Sequence, residues 1–76
     1  MDDVEEMGAS LALVDGQIVH CERLIVVQES RVAALAATSQ DAAEAKRILA
    51  ALRRGLVGLR VHRRAIANRA QDKLRH

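Results

Sequence analysis

The sequence predicts an all-α fold, an antiparallel two-helix hairpin with coiled-coil-like spacing. Three observations carry that expectation. The 76 residues include no Phe, Tyr, Trp or Pro, so the chain lacks the aromatic residues that strands favour and much of the punctuation their turns need. Ala, Leu and Arg, all good helix formers, are its commonest residues. Apolar residues recur at alternating steps of three and four in each half of the chain, and a polar break separates the halves.

The first helix is expected over about residues 10–37. From Val4 the three-four rhythm reaches Met7, Leu11, Val14, Ile18, Cys21, Ile25, Gln28, Val32 and Leu35, and only Gln28 interrupts an otherwise apolar seam. A strand would alternate with period two, whereas this spacing is that of a coiled-coil helix. Ser10 is a reasonable N-cap, which makes residues 1–9 either a frayed tail or an added turn or two.

The turn is expected at 38–41, in Thr38-Ser39-Gln40-Asp41. Asp41 followed by Glu44 has the spacing of a capping box, and both carboxylates suit the positive end of a helix dipole. The second helix then covers about 42–73. Its seam runs through Ala42, Ala45, Leu49, Leu52, Leu56, Leu59, Arg63, Ile66, Ala70 and Lys73, broken by Arg63 and fraying at Lys73. Lys73 and Arg75 suit the negative end of the dipole.

Two such helices joined by a few residues should fold back on each other as a single domain. Folding about residue 39 brings together positions whose numbers total about 77. Ile25 then meets Leu52, Cys21 meets Leu56, Ile18 meets Leu59 and Leu11 meets Ile66. Asp15 lies beside His62 and Arg63, Glu6 lies near Arg69 and Lys73, and Gln28 is satisfied at the seam edge.

A lone hairpin buries little surface, and small domains commonly gain stability by associating. Leu13, Leu24, Val26 and Val27 are apolar residues off the seam of helix 1, and Ile48, Ala51, Gly55, Gly58 and Ala65 lie along one flank of helix 2. Glycine inside a helix is unfavourable by about 1 kcal/mol relative to Ala. Close approach of another helix would explain it, as would loose selection. The expected oligomer face is Leu24, Val27, Ile48, Ala51, Gly55 and Gly58. The expected partner is a second copy, giving a homodimeric four-helix bundle of twofold symmetry. Docking on an unidentified protein is a further option.

Charge is lopsided. Residues 1–40 carry two basic and seven acidic side chains, a net −5, while residues 41–76 carry ten basic and three acidic, a net +7. The two halves can neutralise each other in a hairpin. The alternative is a small basic accessory protein that binds nucleic acid phosphates through Arg53, Arg54, Arg60 and Arg64 of helix 2. No aromatic side chain is available to stack on bases.

Little in the chain points to chemistry. His20-Cys21-Glu22, with His62 a turn or two away, is the one cluster of ligand types. Neighbouring helical residues diverge by about 100°, so the three cannot converge on a metal as an HExxH pair does. No Ser or Cys sits in a glycine-bearing turn and no phosphate-cradling loop is present. The expectation is a non-enzymatic protein with no catalytic, cofactor-binding or metal-ligating residues. One Cys, an acidic start and the absence of an apolar run of about 18 residues point to the cytoplasm and away from a membrane.

Ile18, Glu22, Arg23, Ile25 and Gln28 in helix 1, with Asp41, Glu44, Ala45, Ile48, Leu49, Leu52, Leu56, His62, Arg63 and Ile66 in helix 2, resemble the pattern of a set of short bacterial helical-hairpin proteins of no assigned activity. Val32 and Leu35 fit the same pattern, and the likeness covers about two thirds of the chain. The resemblance implies the hairpin fold and adds no function. That family tends to have Gly where Ser39 stands, His where Leu59 stands and acidic residues where Arg53, Arg54 and Arg64 stand. A histidine site shared by the family would be incomplete here.

Overall fold

A computed structural model describes residues 3–75. Two α-helices, α1 (Asp3–Ala34) and α2 (Gln40–Arg75), pack against each other, and no strand is present among the described residues. They run antiparallel, since Lys73 pairs with Asp3 at one end and Gln28 reaches Ala45 near the other. The hairpin measures 57 × 14 × 14 Å.

Both helices are longer than their spacing suggested. α1 begins at Asp3, so Ser10 lies inside the helix and cannot cap it. Two forces extend it. Asp3, Glu5 and Glu6 occupy the first turn, where the dipole favours carboxylates. Val4 and Met7 are half-buried, continuing the seam along an α2 that reaches Arg75. Of the expected tail, Met1 and Asp2 lie outside the described residues.

α1 ends at Ala34 rather than near 37. The Leu35 N–H donates to the Val32 carbonyl at 3.3 Å, three residues back, and the Ser39 N–H donates to the Ala36 carbonyl at 2.9 Å. These tight closures turn the chain over residues 35–39. The cap of α2 is Ser39, not Asp41: its hydroxyl oxygen accepts from the Ala42 N–H at 3.0 Å, and its carbonyl accepts from the Ala43 N–H at 3.2 Å. Asp41 is already inside the first turn, so it contributes charge at the helix end and no capping box forms. No described residue has a positive φ. The reversal therefore needs no left-handed residue, and Ser at 39 meets its backbone demand.

The seam is one side chain deep. Val14, Cys21 and Gln28 of α1 and Ala42, Ala45, Leu49, Leu56 and Ile66 of α2 are buried. Leu11, Ile18, Ile25, Val32, Leu35, Leu52 and Leu59 are half-buried. Among the described residues no large side chain is wholly enclosed, because a single facing helix covers each from one side only.

The polar intrusions have specific outlets. Gln28 is not at the edge; it is 7% exposed and its amide donates to the Ala45 carbonyl at 3.0 Å. The small Ala45 side chain leaves that carbonyl reachable. The Cys21 thiol donates to the Leu52 carbonyl at 3.4 Å, one turn from the Leu56 expected opposite it. Arg63 does not intrude at all: it is exposed and swings out to Asp15. Glu6, Arg69 and Lys73 line one groove as expected, and Lys73 pairs with Asp3.

Register follows from these bonds. Paired numbers total 73 for Gln28 with Ala45 and Cys21 with Leu52, 76 for Asp3 with Lys73, and 78 for Asp15 with Arg63. Glu22 with Arg60 and Glu29 with Arg53 total 82. The spread about the expected total reflects long side chains reaching along the axis.

The shape leaves surface uncovered. The accessible area is 5720 Å², whereas a compact monomer of 8.3 kDa exposes about 4,600 Å². The radius of gyration is 17.2 Å, against about 11 Å for a globule of this length.

Candidate interaction surface

The hairpin has two unlike flanks, set by where residues fall relative to the seam. On α1, the row Asp15, Glu22, Glu29 follows the buried row Val14, Cys21, Gln28 by one residue, a rotation of about 100° to one side. On α2, Arg53 and Arg60 stand in the same relation to Leu52 and Leu59. These rows face each other: Glu29 meets Arg53 at 3.3 Å, Glu22 meets Arg60 at 3.4 Å, and Asp15 meets Arg63. A second contact joins Arg63 Nη2 to Asp15 Oδ2 at 3.5 Å. This hydrogen bond and the adjacent carboxylate hold the Arg63 guanidinium even more firmly protonated than usual.

The other flank lies about 60° to the opposite side of the seam, at positions three after the buried rows. Leu24 of α1 and Ile48 and Gly55 of α2 occupy it, with Val27, Ala51 and Gly58 on its outer edge. Arg31 and Ile48 line one groove on this side, and Ser10, Leu13, Gln17 and His62 line another, so both helices share the flank. Leu13 and Val27 are 66% and 65% exposed, and Leu24 and Ile48 are 41% and 43% exposed. A methyl group placed on Gly55 or Gly58 would meet nothing within 4 Å. Within one chain, then, neither glycine serves a close approach.

The ion pair of Lys73 with Asp3 sits at the open end of the hairpin. The Lys73 hydrogen bond, aided by its charge, holds the Asp3 carboxyl below the ordinary carboxylate range.

The arginine ridge is not a free row. Arg53 and Arg60 are turned toward Glu29 and Glu22, so their charges are partly met within the hairpin. Arg54 and Arg64 are exposed and join no ion pair among the described residues. They stand about 15 Å apart along α2. The signal of the acidic row in the sequence is the recurrence of Asp15, Glu22 and Glu29 every seven residues beside the seam, while the pairing of Glu29 with Arg53 and Glu22 with Arg60 follows from the register.

The His20-Cys21-Glu22 triplet diverges. Cys21 points into the seam, His20 is exposed, and Glu22 is engaged by Arg60. His62 lines a groove on the other flank. Among the described residues no three His, Cys, Asp or Glu side chains are grouped to hold a metal ion. No described helix is long and apolar enough to cross a membrane. Compared with protein-family models, curated proteins and solved structures, the chain matches none.

Proposed function

We propose that this chain is a non-enzymatic helical hairpin that self-associates into a four-helix bundle and acts through protein–protein contacts. The observation that carries the reading is the asymmetry of the flanks. One is crossed by three ion pairs beside the seam and exposes Val19, Val26 and Val57 only along its outer edge, whereas the other presents Leu24 and Ile48 next to the seam, with Val27 and two glycines that have open space around them. Contiguous exposed apolar side chains mark association surfaces. The surface in excess of a compact monomer is about 1,100 Å², which exceeds the roughly 800 Å² that each partner buries in a standard interface.

Sedimentation at micromolar concentration tests the proposal. The expected species has twice the 8.3 kDa mass of the chain. Leu24→Asp combined with Ile48→Asp should give a monomer that keeps its helical circular dichroism, because neither side chain belongs to the buried seam. A wild-type chain that stays monomeric and helical at about 100-fold higher concentration overturns the reading.

A further inference from the structure

We infer that the second copy docks in reverse, α1 on α1 and α2 on α2, about a twofold axis crossing the flank near residues 18–19 and 56–57, with the two turns at opposite ends. The inference rests on the self-association proposed above and names its geometry.

The flank has a definite order from turn to open end. Charged Arg31 and Glu44 come first, then bulky Leu24, Val27 and Ile48. The notch at Gly55 and Gly58 follows, level with polar Gln17 and His20 of α1, then Leu13, His62 and Ala65, and finally charged Glu6 and Arg69. Reversal about the notch matches these segments to one another. On α2, Gly55 faces the partner's Gly58, Ile48 faces the partner's Ala65, and Glu44 faces the partner's Arg69. On α1, Leu13 faces the partner's Leu24, and Glu6 faces the partner's Arg31.

Three features support this register. The axis positions on α1 and α2 total about 75, within the range of the pairings inside one hairpin, so a single axis serves both contacts. Glu6, Arg31, Glu44 and Arg69 make no ion pair within the chain among the described residues, and reversal gives each an opposite charge. Glycine against glycine lets two α2 backbones approach where neither has a side chain to interpose, while Ile48 meets the smaller Ala65 on either side of that contact and Leu13 meets Leu24 on α1. A same-ended dimer, α1 on α2, also matches the end charges. It sets the bulky Leu24 and Ile48 layer on its own copy and puts Gln17 and His20 rather than glycine over the notch, which keeps the backbones apart, and that difference decides for reversal.

Spin labels attached in the turn, through Ala37→Cys in a Cys21→Ala background, measure the turn-to-turn distance by pulsed electron resonance. Each turn lies 18–19 residues from the axis, so the expected separation is about 55 Å at about 1.5 Å per residue. A separation below roughly 20 Å means same-ended packing and overturns the inference while leaving self-association intact; a monomer in sedimentation overturns self-association itself. The second measurement keeps Cys21 in place. Glu44→Arg or Arg69→Glu alone should weaken the dimer roughly five- to tenfold, since two copies of an exposed pair are lost. The double swap should return it to within about twofold of wild type. A double swap weaker than either single change matches same-ended packing and refutes the reversed one.

Discussion

Gln28 offers the sharpest test of how the seam is held. Its amide donates to the Ala45 carbonyl at 3.0 Å from a site that is 7% exposed. In a helix that carbonyl also accepts a backbone N–H four residues on, so removing the amide orphans nothing on α2. Gln28→Ala loses the hydrogen bond, about 0.5–1.5 kcal/mol net, and the burial of one or two methylenes at about 0.8 kcal/mol each. The expected destabilisation is about 1.5–2.5 kcal/mol. Gln28→Leu keeps the volume and replaces a polar group whose partner remains satisfied, so it should match or exceed the wild type. Thermal unfolding followed at 222 nm reads the order, at one fixed protein concentration because association shifts the midpoint. With no aromatic residue, concentration is set by refractive index. At about 4–8 °C per kcal/mol, Gln28→Ala should melt at least 6 °C lower. Equal losses for the Leu and Ala variants would refute the reasoning, because the amide would then matter for more than one hydrogen bond and its volume.

Three further outcomes are expected. Ser39→Ala should destabilise by about 1 kcal/mol in urea unfolding through loss of the cap on Ala42, whereas Asp41→Asn should lose less, about 0.3–1 kcal/mol of dipole interaction; the opposite order would return the cap to Asp41. Because Lys73 lowers the Asp3 carboxyl in the folded state, their pairing stabilises above the unfolded carboxylate value near about 4 and fades as pH falls from there through the folded value. Carbon-detected NMR titration should show the Asp3 midpoint rise in Lys73→Ala, and an unmoved midpoint would contradict the pairing. Gly55→Ala or Gly58→Ala should raise helix stability in the dilute chain by up to about 1 kcal/mol, since the added methyl meets nothing. The same change should weaken the dimer, and a tighter dimer would rule out contact between glycines across it.

Much of the fold was legible in the residue spacing. A three-four rhythm is a local property, and it announces a helix and its inward face without knowledge of what lies opposite. The boundaries were less legible. Ser10 and Asp41 have capping chemistry, but a cap acts only where the helix begins, and the reach of each helix depended on seam contacts from the other. For the candidate interface, the apolar and glycine positions of α2 could be picked from sequence. Leu24 and Val27 of α1 were grouped with them from sequence as well, whereas the pairing of Glu22 and Glu29 with Arg60 and Arg53 on the other flank required the two helices to be placed in register.

By itself the sequence determined two amphipathic helices, the polar reversal between them and the set of side chains available to face inward, because each of these depends on neighbours within a few turns along the chain. The tertiary structure alone decided that Ser39 starts α2, that the Gln28 amide ends on the Ala45 carbonyl, and that Glu29 and Glu22 meet Arg53 and Arg60 on the flank where Asp15 meets Arg63. Those outcomes turn on distances of a few ångströms between residues up to 48 positions apart in the chain. A slip of one residue between the helices rotates every such pairing by about 100°, and no count of residues along either helix contains that information.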